Sequence, residues 1–317
     1  MLTPCSSECP STIAPLSAQH LLVGTDSGRI HLYDIRESSL TAPAVTWKSV
    51  HEDYVSSLTP LAASGGGMSR QFVSTGASTL AYLDFRKPSR PVIQSEDQED
   101  ELLCSGYVSG LPTKAGRGGE KILVGNSSGI VSLWNRDEWE DHHDRINVSK
   151  SSGESVDAIC VLPEGFNALG FGGARCVAVG SGDGKVRIVQ LGSKRPLATL
   201  QHSMTTEEVK AWRDAGKADL TKEESLGVGD GVTGLGVDCE GRVVSGGGCT
   251  VKVWNWQEER SETSEKNDSG INDANDGGEE SSDEEKPAKK RRKKRKGGTG
   301  KAKSAGPPNF TSFKDLD

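Results

Sequence analysis

ILVGNSSGIVSLWN, residues 122–135, reads as two strands and the turn between them. Ile122, Leu123 and Val124 are apolar, residues 125–129 carry the turn formers Gly, Asn and Ser, and Val131, Leu133 and Asn135 alternate with Ile130, Ser132 and Trp134. Four further stretches obey the same rule: LLVGTDSGRIHLYD (21–34), FVSTGASTLAYLD (72–84), VAVGSGDGKVRIVQ (177–190) and VVSGGGCTVKVWN (243–255). Three copies share one spacing: Gly24, Gly28, Asp34; Gly125, Gly129, Asn135; Gly180, Gly184, Gln190. The copies end at 34, 84, 135, 190 and 255, a period of 50 to 65 residues. This is a repeat protein. Each period has room for four strands, and a lone four-stranded sheet cannot bury both faces. Packing such sheets face to face around an axis solves that problem, so the expected fold is an all-β propeller of about five repeats.

Composition agrees. The chain has 317 residues, 39 glycines and only 5% aromatic residues, which suits short strands and tight turns. No apolar window is long enough to span a bilayer, and the first 20 residues hold no Lys or Arg, so neither a membrane anchor nor a leader is expected. Seven cysteines show no metal-binding spacing and read as reduced thiols. The net charge of −7 belongs entirely to the body, because residues 258–317 hold 14 acidic and 14 basic residues. An acidic body is ill suited to binding phosphates, so affinity for RNA is expected only in the tail.

Along the chain, residues 1–20 are weakly patterned, with one short strand at 12–16. The propeller is expected over 21–256. It is interrupted at 205–220, where Thr205 and Glu208 form a capping box and Val209 and Trp212 share a face, so a helical insertion is expected. Residues 257–317 form an acidic, then basic, tail that cannot bury enough apolar surface to order itself. Its last residues restore large apolar side chains: Phe310, Phe313 and Leu316, three apart, which suit one face of a helical turn docking into a partner's groove.

The repeats resemble the WD-repeat family: LYDIR (32–36), LWN (133–135) and VWNW (253–256) stand where that family has its Trp-Asp dipeptide, and His51 where a His opens a blade. A narrower resemblance lies in HEDYVSSLTPL (51–61), SEDQEDELL (95–103), GRGGEKILVG (116–125), EGRVVSGGGCTVKVW (240–254) and the terminal F-x-D-L (313–316). These are similar to the fungal branch of the WD repeat-containing protein 55 family. That resemblance implies a nucleolar protein of ribosome biogenesis, with roles in ribosomal RNA processing and large-subunit formation, and an expected ring of about seven blades.

Enzyme chemistry finds no support, and neither a cofactor nor a metal is expected. The turn GSGDGK (180–185) has Val186 where a phosphate loop needs Ser or Thr for magnesium. His142 and His143, between Asp141 and Asp144, lack a third partner. The expected role is a non-catalytic scaffold meeting pre-ribosomal or nucleolar proteins. The alternative is a substrate receptor of a cullin-type ubiquitin ligase, suggested by Asp34-Ile35-Arg36 and Asp84-Phe85-Arg86. Candidate partner-binding residues are Glu96, Asp97, Glu99, Asp100 and Glu101, an acidic connection suited to a basic partner, together with Phe310, Phe313 and Leu316. Lys289, Lys290, Arg291, Arg292, Lys293, Lys294, Arg295 and Lys296 form a run suited to an import receptor and to weak, sequence-independent RNA contact, which places the protein in the nucleus and nucleolus. Ser281 and Ser282, followed by Asp283, Glu284 and Glu285, are candidate phosphorylation sites.

Overall fold

The structure is a computed structural model that describes residues 8–62, 69–111, 119–149, 153–163, 175–205, 207, 210, 229–255 and 311–312. Five antiparallel sheets of four strands follow one another along the chain. The first blade contains β1 (Pro10–Ser17), β2 (His20–Thr25), β3 (Ile30–Asp34) and β4 (Val45–Trp47). The second holds β5 (Ser57–Pro60), β6 (Gln71–Thr75), β7 (Leu80–Asp84) and β8 (Ile93–Gln94). The third holds β9 (Leu102–Leu111), β10 (Gly119–Asn126), β11 (Ile130–Asn135) and β12 (Asp144–Asn147). β13 (Val156–Val161), β14 (Cys176–Ser181), β15 (Lys185–Gln190) and β16 (Arg195–Gln201) make the fourth. The fifth has β17 (Gly234–Val237), β18 (Val243–Gly247), β19 (Thr250–Asn255) and β20 (Thr311–Ser312).

The middle hairpin of each blade is the repeating stretch read from the sequence. Asp34, Asp84, Asn135, Gln190 and Asn255 each end the third strand. The turn glycines Gly28, Gly129 and Gly184 have φ of 71°, 77° and 70°, a left-handed conformation that costs glycine little.

Four apolar layers join successive blades. Ile30 and Leu32 cluster with Val55, Phe72, Ala81 and Leu83 of the second blade. Val73 and Leu80 cluster with Ile122, Val124 and Trp134 of the third. Val131 and Leu133 join Val156, Val177 and Val189 of the fourth, and Val186 and Ile188 join Val232, Val243 and Trp254 of the fifth. One strand face therefore packs forward and the other packs back, as the period of two requires. Each fully buried Ile or Leu contributes about 1.5–3 kcal/mol. The blades approach so closely that a Cβ on Gly24 would stand 2.7 Å from Val55, and one on Gly180 would stand 2.5 Å from Val232.

One expectation is corrected. The propeller begins at β1, ahead of residue 21, because β1 pairs with β2 from Pro10 to Ser17, with bulges at Ser11 and Leu16. Of the expected helical insertion, Glu207 and Lys210 are helical and Thr205 is not, while Glu208, Val209 and Trp212 lie outside the described residues. Thr311–Ser312 form a strand, Ser312 opposite Trp254 and Thr311 opposite Asn255, while Phe310, Phe313 and Leu316 of the C-terminal motif lie outside the described residues. The fourth strand of the last blade thus comes from the far side of residues 256–310.

Candidate interaction site

A buried polar chain marks the blade junctions. His51, 2% exposed, is hydrogen-bonded through Nδ1 to Thr79 Oγ1 at 2.7 Å and through Nε2 to Ser74 Oγ at 2.8 Å. Burial pushes its pKa down to about 4, so it stays neutral at ordinary pH. In the fifth blade Trp254 Nε1 donates to Ser245 Oγ at 2.8 Å, and that hydroxyl also meets His202 Nδ1 at 2.8 Å. Buried polar groups must find partners within the protein, so these contacts fix blade order and register.

The two Asp-x-Arg turns have one geometry. Arg36 donates its backbone N–H (3.0 Å) and Nε (2.9 Å) to Asp34, and Arg86 does the same to Asp84 at 3.0 and 2.9 Å. The guanidinium hydrogen bond holds the Asp34 carboxyl well below the usual range and Asp84 down to about 2. Both arginines are spent on their own turns.

The acidic connection between β8 and β9 is tied into the body. Ser78 donates to Asp97 at 3.0 Å; Asn126 (2.9 Å) and Ser128 (2.5 Å) donate to Asp100; the Tyr54 hydroxyl donates to Glu101. Burial, reinforced by that carboxylate, pushes Tyr54 up to about 12. Glu96 and Glu99 are exposed. Asp97 and Glu101 are exposed as well, yet they and the half-buried Asp100 accept hydrogen bonds that tie the connection to the second and third blades.

His142 meets Gln98 Oε1 at 3.1 Å and Asp141 Oδ1 at 2.8 Å, beside Arg145. Among the described residues, no group of three or more His, Cys, Asp or Glu could hold a metal ion.

No protein-family model matches the chain. It is 41% identical over 262 residues to WD repeat-containing protein JIP5 of Phaeosphaeria nodorum, covering 79% of this chain and 55% of that protein. It is likewise 41% identical over 256 residues to the jip5 protein of Emericella nidulans, covering 78% and 55%. The chain is a WD-repeat β-propeller. It spans little more than half the length of these relatives. Among solved structures, a chain in the crystal structure of a mitotic checkpoint complex superposes with a TM-score of 0.53 at 13% identity, over 80% of this chain and 62% of that one, which bears on the fold alone.

One surface feature of this WD-repeat propeller escapes the sequence pattern. A cavity of 210 Å³ opens where the second blade's β7–β8 connection leans against Trp47 of the first, with Tyr82 and Ile93 in its wall and Arg86, Lys87 and Arg90 around it. Three cations in FRKPSRP (85–91) were the available signal, but only the fold sets them beside Trp47. The remaining candidates, Lys289–Lys296, Ser281, Ser282, Phe310, Phe313 and Leu316, lie outside the described residues.

Proposed function

We propose that this WD-repeat protein is a non-catalytic scaffold of the JIP5 and WD repeat-containing protein 55 type, working in nucleolar ribosome biogenesis on ribosomal RNA processing and large-subunit formation. The observation that carries the reading is the 41% identity to a fungal JIP5 protein over 79% of this chain, whose hairpins build five successive four-stranded sheets. Blade rims are the natural docking surfaces. Glu96 and Glu99 face outward and suit a basic partner such as a ribosomal protein, with affinity that falls as salt rises. The run 289–296 supplies nuclear import, and its charge density supports weak retention on ribosomal RNA.

The ubiquitin-ligase alternative is weakened by the turns that suggested it. Arg36 and Arg86 already satisfy Asp34 and Asp84, so a ligase adaptor would have to displace both contacts. Affinity purification of the tagged full chain separates the readings. Pre-ribosomal proteins are expected in the eluate; a ligase adaptor in their place would overturn the scaffold reading.

A further inference from the structure

One connection runs against the charge of the acidic body. Residues 85–95 hold Arg86, Lys87 and Arg90 and no acidic residue. Arg86 is held by Asp84, whereas Lys87 and Arg90 are exposed and have no ion pair among the described residues. Two tight turns fix them. The Lys87 N–H donates to the Asp84 carbonyl at 3.0 Å, and the Arg90 N–H donates to the Lys87 carbonyl at 3.0 Å. Pro88 takes the second position of the latter turn, where its locked φ is the one required. Lys87 and Arg90 thus stand at the two ends of one four-residue turn, with Cα atoms within about 7 Å of each other.

The cavity beside them follows from the strand register. Tyr82 faces Ile93, and the Ser95 N–H donates to the Leu80 carbonyl at 2.8 Å. In that register the next hydrogen-bonding position, opposite Asp84, falls to Pro91, which has no N–H. The ladder stops there, the chain stands off β7, and the 210 Å³ cavity is left against Trp47. Phe85 and Val92 pack against the layer joining the first two blades, so both ends of the connection are anchored. Ile93 lines the cavity while still 49% exposed.

Size and surface select the ligand. The volume exceeds the roughly 150 Å³ that holds a benzene ring and falls short of the about 300 Å³ at which cofactor pockets begin, so it suits one side chain. Trp47 is 5% exposed and offers no open ring face on which a base could stack, and the acidic body repels a polyphosphate chain. We propose that this groove docks an acidic segment of a partner protein, with one aromatic or branched aliphatic side chain in the cavity and flanking carboxylates on Lys87 and Arg90. Because the turn already places both cations, little ordering entropy is lost on binding. The propeller then carries a second docking surface, opposite in sign to Glu96 and Glu99, and it stands whatever assembly the protein serves.

Random dodecamer peptides displayed on phage and selected on the immobilised full chain test this. The selected peptides are expected to share Asp or Glu on both sides of one Phe, Trp, Leu or Ile. A fluorescein-labelled copy of their consensus, followed by anisotropy, should bind at least roughly tenfold more weakly to Lys87→Gln/Arg90→Gln and to Ile93→Asp. Arg145→Gln/Arg195→Gln removes the same charge from exposed positions elsewhere and should leave affinity within about twofold. Lys87 and Arg90 are exposed, so their variant should keep the melting temperature of the natural chain, which thermal scans check. Failure to enrich any peptide, or equal weakening by the two paired substitutions, would overturn the proposal. Displacement of the peptide by a synthetic copy of residues 261–285 would overturn it in favour of the chain's own acidic segment. A uridine dodecamer that binds more tightly than the peptide through the same two cations would overturn it in favour of RNA.

Discussion

His51 Nδ1 lies 2.7 Å from Thr79 Oγ1, so a side chain entering the second blade is clasped by the turn that precedes that blade's third strand. Ser74 holds the other ring nitrogen, and the imidazole is sealed from solvent. The blade is thereby coupled to acid.

The unfolded chain takes up a proton at this His near its ordinary value of 6.5, the folded chain only near 4. Between those values the unfolded state binds more protons, so stability falls as the pH falls. The contribution is whole above about 6.5 and amounts to about 3 kcal/mol lost by pH 4. His202, also pushed down by burial, acts in the same sense. Chemical denaturation from pH 7 to 4 should show this slope, and His51→Gln should flatten it while lowering stability at pH 7. An unchanged slope in the variant would exclude His51 as its source.

Glycine spacing between blades gives a second expectation. A Cβ on Gly125 would collide with Val156 of the next blade, whereas one on Gly246, at the same rung, would meet nothing within 4 Å. Gly125→Ala should therefore cost about 1–3 kcal/mol by overpacking, and Gly246→Ala should be close to neutral. Urea midpoints of the two variants check the contrast; equal losses would mean that the fifth blade is packed as tightly as the third.

The acidic connection divides by role. Asp100→Ala strips Asn126 and Ser128 of their acceptor and should cost about 1–3 kcal/mol. Glu96→Gln/Glu99→Gln should leave stability within about 0.5 kcal/mol while weakening salt-sensitive capture of basic partners. Thermal melts and pull-downs at two salt concentrations measure both; pull-downs unaffected by the double variant would remove Glu96 and Glu99 from the interface.

Replacing residues 289–296 with Gln should abolish nuclear accumulation of a fluorescent fusion. A signal that stays nuclear but leaves the nucleolus would assign the run to retention. Full nucleolar signal in the variant would remove these eight residues from localisation altogether.

The sequence by itself determined the hairpins, their period and the rung at which each third strand ends. Those features are local: alternation sets strand faces, and Gly, Asn, Asp and Ser at fixed offsets set the turns. It also showed which charges cluster, but not that Asp97, Asp100 and Glu101 would be consumed by Ser78, Asn126, Ser128 and Tyr54. Only the tertiary structure decided the rest. PSTIAPLS (10–17) reads by itself as no more than a short strand at 12–16, and it becomes a blade's first strand once β2 offers it an edge. Arg86, Lys87 and Arg90 become a pocket rim once the first blade brings Trp47 to them. Thr311–Ser312 becomes a strand because Trp254 and Asn255 of β19, far earlier in the chain, offer it an edge. Pairing between distant segments depends on which backbone groups remain unsatisfied after the local elements form, and no window of neighbouring residues carries that information.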